Sequence, residues 1–277
     1  MIQKSYNDTP SLYLIPTPIG NLEDITIRSI KILNEVSVIF SEDTRVTINL
    51  LNHYEIKKKL LSLNKDNEYK MKHKVIKELN KGNSVAIVTD RGTPLISDPG
   101  NIVSLEAINN GFNVISLPGA TAFVPALTSS GIDNFHFLFY GFLDSKKTAM
   151  KKELESLKTL PYTIIFYEAP HRIIKTLEII KDIFGNRKIS ISREISKKFE
   201  EILRGDIETV IKEFTTIKGE MVIVIEGNNK SANFDNLTII EHVNLYIKEG
   251  LSKNDSFKKV AKDRKLSKSE IYNDYHQ

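Results

Sequence analysis

Short continuous apolar runs alternate along this chain with longer stretches whose apolar positions recur every three or four residues. In the first half, residues 12–15, 36–40, 84–88 and 113–117 read as buried strands. Between them, residues 25–35, 47–53, 69–81 and 103–110 carry helical spacing. In 25–35, Ile25, Ile30 and Leu33 fall near one face, and Asp24 is a candidate N-cap. Gly82 and Gly111 stand where the helices should stop. Alternating strand and helix predict an α/β fold whose sheet is mostly parallel and covered on both faces.

The second half mixes the elements differently. Residues 135–142 form an aromatic strand pattern, and 163–167, 188–192, 201–204 and 221–226 are further strands. Residues 145–157, 171–184 and 207–214 read as helices. The boundary between halves is expected within 121–132. Residues 228–236 are polar and read as a linker. Helix patterns follow at 239–248, 255–264 and 267–275, where Ser267 and Glu270 have capping-box spacing and the last turn is short, as in a helix-turn-helix. The expected organisation is a polar tail (1–11), an α/β domain (12–122), a second α/β domain (123–228) and a helical segment (229–277).

Composition narrows the setting. A chain of 277 residues, 40% hydrophobic and 27% charged, can bury two cores. It has no cysteine, which removes disulfides and thiolate metal sites. The histidines show no metal-ligand spacing, so no metal is expected. The polar N-terminus lacks a signal-peptide core, and no apolar run approaches a membrane span, so a cytoplasmic location without membrane partners is expected. The net charge of +4 suits nucleic acid, but the abundance of Ile, Lys and Asn favours a plain lysine-rich surface. Lys258, Lys259, Lys262, Arg264, Lys265 and Lys268 concentrate in the last helices, either as a solvated face or as phosphate contacts.

Three loops follow strand patterns: 16–21 (PTPIGN), 89–100 (TDRGTPLISDPG) and 118–122 (PGATA). In an α/β sheet such loops gather at one edge, where ligands bind. Glycine lets the backbone approach a ligand and proline stiffens the loop. No Gly-Lys-Ser/Thr follows the first loop and no GxGxxG is present, which excludes P-loop and dinucleotide readings. Asp90 at a strand end is a candidate partner for a ligand ammonium or ribose. Asp98, in Asp-Pro-Gly, can be a turn residue. Further polar candidates are Glu42, Asp43 and Arg45 (SEDTR) and Glu168, His171 and Arg172 (YEAPHR), with Arg193 and Glu194 after a later strand. Each can equally be a salt-bridged loop anchor, and His171 a helix cap.

Together, residues 17–26 (TPIGNLEDIT), SEDTR, TDRGTPLISDPG, PGATA and YEAPHR, in that order, resemble the bacterial ribosomal small-subunit RNA (cytidine-2′-O)-methyltransferases of the tetrapyrrole methylase superfamily. The resemblance spans residues 12–227. It implies two α/β domains with S-adenosylmethionine between them, and a homodimer. It implies a cytidine ribose 2′-hydroxyl in the decoding region of 16S rRNA as acceptor, on free RNA or on the small subunit. By the same resemblance Pro18, Asp90, Gly92, Thr93, Thr121 and Ala122 line the cofactor cleft. Phe166, Tyr167, Glu220 and Met221 would close it from the second domain, unless they are core strand and turn. The catalytic candidates are Glu42, Asp43, Arg45, Glu168, His171 and Arg172, since a ribose hydroxyl is a weak acid helped by a base or a cation. Arg91 departs from the family's usual alanine; the expectation is that it points out to RNA phosphate or pairs with Glu42 or Asp43. Methylation of a tetrapyrrole or other small molecule, and a non-catalytic ribosome-binding module, are the alternatives.

Overall fold

A computed structural model describes residues 2–5, 7–214, 218–228, 237–248, 250–264 and 266–276. The chain divides into two compact units, Met1–Gly227 and Asn228–Gln277. The first holds two five-stranded sheets.

Strands β1 (Ser11–Leu14), β2 (Val38–Ser41), β3 (Lys59–Ser62), β4 (Val85–Val88) and β5 (Asn113–Ser116) form an all-parallel sheet in the order β3-β2-β4-β1-β5. Successive side chains alternate between faces. Leu12, Leu14, Phe40, Val85 and Ile87 pack against Val75 and Leu79 of α3 (Glu68–Asn80) and Val103 and Ala107 of α4 (Asn101–Asn109). Ile39, Ala86, Val88 and Ile115 pack on the other face against Ile32 and Leu33 of α1 (Ile27–Glu35) and Leu51 of α2 (Thr44–His53). Each such Val, Leu, Ile or Phe side chain, fully buried, contributes roughly 1.5–3 kcal/mol. Two helix starts differ from the sequence pattern. Thr26, not Asp24, caps α1, its Oγ1 accepting the Ser29 N–H at 3.0 Å. Asp24 instead closes a 3-10 turn, Leu22–Asp24, capped by Asn21. Asp43 caps α2, accepting the Arg45 N–H at 2.8 Å, so that helix begins three residues before the predicted start at Thr47. Strand β3 has no counterpart in the sequence reading; it is a half-buried edge strand.

The second sheet joins β6 (Phe137–Phe142), β7 (Thr163–Glu168), β8 (Lys188–Arg193), β9 (Glu201–Asp206) and β10 (Met221–Ile225) in the order β6-β7-β10-β8-β9. Only β6 and β7 run parallel; the other neighbours are antiparallel. β10, the last strand in the chain, lies between β7 and β8, and all five of its residues are buried. One face, with Ile164, Phe166, Ile191 and Ile223, is covered by α6 (Lys147–Leu157), α7 (Ile173–Phe184) and α8 (Ile207–Glu213). The other, with Ile165, Val222 and Val224, packs on Ala126 and Leu127 of α5 (Phe123–Ser129). That helix falls in the stretch expected to join the halves. Pro125 sits in its first turn, where a missing N–H costs nothing.

In the C-terminal unit, α9 (Ile239–Lys248), α10 (Lys253–Arg264) and α11 (Lys268–His276) enclose Val243, Phe257, Val260 and Ile271. The capping box is present: Glu270 N–H donates to Ser267 Oγ at 3.2 Å, and Ser267 N–H donates to Glu270 Oε2 at 2.7 Å. The polar linker at 229–236, and Lys265 of the basic group, lie outside the described residues. Among the described residues no helix is long and apolar enough to cross a membrane.

Candidate active site

Parallel pairing of β1, β2, β4 and β5 brings the segments after them to one edge of the sheet, and hydrogen bonds tie those segments together. Thr17 and Gly92 exchange both backbone bonds, at 2.9 and 3.0 Å. Thr17 Oγ1 donates to the Thr89 carbonyl at 3.1 Å, and Thr93 Oγ1 to the Ala120 carbonyl at 3.0 Å. Gly92 sits at φ +84°, where a side chain would be strained. Further along the same loop, Leu95 and Ser97 hold positive φ of 71° and 70°. Non-glycine residues there cost on the order of 1–2 kcal/mol each. The loop ends firmly: Glu68 Oε1 accepts the N–H groups of Gly100 and Ile102 at 2.9 and 2.7 Å, at the start of α4.

These loops and the second sheet enclose a cavity of about 530 Å³. The first half supplies Glu42, Thr89, Asp90, Gly92, Thr93 and Asp98 to its wall, with Thr121 and Ala122 from the third loop. Tyr167, Glu168, Glu220 and Met221 line it from the second half. Thus most of the residues singled out in the sequence meet in one place. Six do not. Phe166 lies in the core under α6 and α7, because alternation along β7 turns it away from the face that carries Tyr167. Pro18 is buried behind the wall, next to the Thr17–Gly92 bridge. Asp43 is spent on capping α2 and on Arg45, which lies over it at 2.6 Å and is otherwise exposed. His171 is exposed in the 3-10 turn Pro170–Arg172. Arg172 reaches back to Glu168 and donates to the Leu143 carbonyl at 2.8 Å.

The carboxylates of the site are held in distinct ways. Asp90 Oδ1 accepts the Asp43 N–H at 3.0 Å. Burial raises the Asp90 carboxyl above its ordinary range; Glu42 and Asp43 add to the rise, and the Asp43 N–H and Arg91 oppose it. Asp98 is pushed up to about 6, chiefly by burial, with Glu42 and Asp90 acting in the same direction and the Thr89 hydroxyl and Lys65 against it. Thr89 Oγ1 donates to Glu42 Oε2 at 2.9 Å. Glu168, with its side chain 1% exposed, accepts from the Ala169 N–H at 2.7 Å, from Thr176 Oγ1 at 2.6 Å and from Arg172 Nε. Arg91 neither leaves the site nor meets Glu42 or Asp43; it lines the cavity and pairs with Glu220 at 2.6 Å.

The sequence reading missed four lining residues in particular. Thr89 was hidden as the residue between a strand and its aspartate. Ile96 and Ser97 lay inside a loop read for its glycines. Asp98 looked like a turn former, yet it lines the cavity.

The chain matches the family of Tetrapyrrole (Corrin/Porphyrin) Methylases over residues 11–211. It is 45% identical to Ribosomal RNA small subunit methyltransferase I of Bacillus subtilis, over 99% of this chain and 98% of that protein. It is 43% identical to the protein of the same name from Halalkalibacterium halodurans, over 99% of each. Among solved structures, a diphthine synthase superposes with a TM-score of 0.61 at 14% identity, covering 78% of this chain and 89% of that one. The methyltransferase CobJ gives 0.60 at 17%, covering 79% and 95%. These two likenesses concern the fold.

Proposed function

Since the chain belongs to the tetrapyrrole methylase family, we propose that its cavity receives S-adenosylmethionine and serves methylation of a cytidine ribose 2′-hydroxyl in the decoding region of small-subunit ribosomal RNA. The enzyme is a ribosomal RNA methyltransferase. The observation that carries the cofactor reading is the fixed Asp90 carboxylate beside side-chain-free Gly92, at the wall of a cavity whose volume suits a small-molecule ligand.

The residues present fit that cofactor. When bound, it supplies a methyl group carried on a sulfonium. Asp90 offers charged acceptors for an ammonium or for ribose hydroxyls. Gly92 and Thr93 allow close backbone approach, and Thr121 and Ala122 form the adjoining wall. Tyr167 and Met221 give an apolar surface opposite, and Glu220 a second carboxylate. Glu42 and Asp90 make one region of the wall negative, favouring a cation. Glu168 and Arg172 act on architecture: they lock the turn after β7. Glu42 remains a candidate for contact with the reacting groups, while the placement of Asp43 and Arg45 favours anchoring roles.

We assign the C-terminal helices to RNA capture, through Lys258, Lys259 and Lys262 on α10. A cytoplasmic homodimer acting on the small subunit completes the reading, and sedimentation with and without subunits tests it. The main test is incorporation of labelled methyl into small subunits, free 16S rRNA or a porphyrinoid precursor, followed by mapping of the product. A 2′-O-methylcytidine supports the reading. Methylated porphyrinoid, or no incorporation at all, overturns it in favour of the small-molecule or the non-catalytic alternative.

A further inference from the structure

A ribose hydroxyl must lose its proton as its oxygen is methylated, and the cavity wall contains five carboxylates that could take it. Four are occupied. Glu220 is paired with Arg91 and Lys197. Glu168 is enclosed by Arg172, Thr176 and the Ala169 N–H. Asp90 accepts the Asp43 N–H and is the residue we give to the cofactor. Glu42 receives the Thr89 hydroxyl proton. Asp98 accepts no backbone N–H among the described residues. The Thr89 hydroxyl lies near it, but its single proton is directed at Glu42.

We propose that Asp98 is the proton acceptor for ribose methylation, with Thr89 linking it to Glu42. The inference rests on the reading that the acceptor is a ribose hydroxyl. As the 2′-oxygen bonds to the methyl carbon, the carbon–sulfur bond breaks with its electron pair staying on sulfur. The O–H bond breaks and its proton moves to an Asp98 carboxylate oxygen. Protonated Asp98 then has an acceptor in place: it can donate to Thr89 Oγ1 while Thr89 continues to donate to Glu42. Burial and the neighbouring Glu42 and Asp90 charges favour the protonated form, while Lys65 favours the ionised one. Tyr167 also faces this group, and its own hydroxyl is raised by burial. The result is an aspartate able to gain a proton near neutral pH yet free to act above its titration.

The test measures single-turnover methyl transfer to small subunits, with both substrates saturating, across about pH 5 to 9, beside calorimetric binding of S-adenosylmethionine. The wild-type rate should fall as pH drops through about 6, because the acceptor must be ionised. Asp98→Asn should slow transfer by about a hundredfold or more and remove that acid limb, while cofactor affinity stays within about twofold. The unchanged binding certifies the fold. The proposal is overturned if Asp98→Asn keeps more than about a tenth of the rate, retains the acid limb, or loses rate only in proportion to cofactor affinity. A fast Asp98→Asn enzyme that still forms 2′-O-methylcytidine removes the acceptor and leaves the function standing. A wild-type product other than a 2′-O-methyl ribose overturns both.

Discussion

Arg91 in the loop after β4 and Glu220 at the foot of β10 meet across the cavity, Nη1 to Oε1, at 2.6 Å. Glu220 also holds Lys197 at 3.0 Å, which Glu194 fixes at 2.7 Å. A cation in a loop that faces a sulfonium would oppose binding; here a carboxylate from the opposite sheet compensates it. That pairing explains how the arginine is accommodated where the family resemblance leads one to expect alanine.

The pair predicts a specific compensation. Both side chains are half-exposed or more, at 50% and 62%, so their coupling in urea unfolding should be only about 0.2–1 kcal/mol and should shrink with salt. Binding should respond differently. Glu220→Gln leaves Arg91 uncompensated and should weaken S-adenosylmethionine binding, and adding Arg91→Ala should restore part of the loss. Equal affinities of the single and double variants, measured by calorimetry, would argue against this electrostatic account.

Asp90 should matter to the cofactor more than any other wall residue. Asp90→Ala removes a charged acceptor and should weaken binding by roughly 1.5–3 kcal/mol. It also frees the Asp43 N–H, so Asp90→Asn, which keeps an acceptor for that group, separates the two effects. Unaltered affinity in a folded Asp90→Ala protein would remove this residue from the cofactor site.

Glu168 and Arg172 should report on stability. Arg172→Ala leaves a carboxylate buried with only Ala169 N–H and Thr176 as partners, and should destabilise by about 3–5 kcal/mol. Urea denaturation reads the loss. Provided the protein is folded, cofactor affinity should hold; a selective fall in turnover with normal stability would instead make Arg172 part of the chemistry.

The C-terminal helices should serve the substrate alone. A chain ending after Asn228 should retain cofactor binding, because the described cavity lies wholly within the first unit. Its affinity for small subunits should drop, and the deficit should narrow as salt rises, since phosphate contacts release counterions. Lys258, Lys259 and Lys262 changed together to Glu should reproduce the effect. Full-rate methylation by the shortened enzyme at low subunit concentration would point to a purely structural segment.

What the sequence made legible follows its physics. The buried strands showed because β4 and β10 are unbroken apolar runs, and the loops showed because Gly92 and Pro118 punctuate them. Strand β3 was obscure because Lys59–Ser62 is a half-exposed edge with too few apolar positions to mark a period. Helix α5 was obscure because Pro125 resembles a breaker when its place in the first turn is unknown. At the site, residue type announced Asp90, but only three-dimensional partners separate Glu168, which is saturated, from Asp98, which is not. Phe166 and Tyr167 are neighbours in sequence and lie on opposite faces, a distinction that needs the sheet's orientation as well as its period.

The central place of β10 also bears on synthesis. As the chain emerges, β7 and β8 are complete well before residues 221–225, and each waits with an unpaired edge. A nascent or prematurely ended chain therefore exposes two strand edges that invite pairing with other chains. The same late strand brings Met221 and Val222, with Glu220 at its foot, to the cavity. The first three loops can be in place while the opposite wall is still missing, so ligand-binding competence arrives in a single step near the end of the first unit's translation.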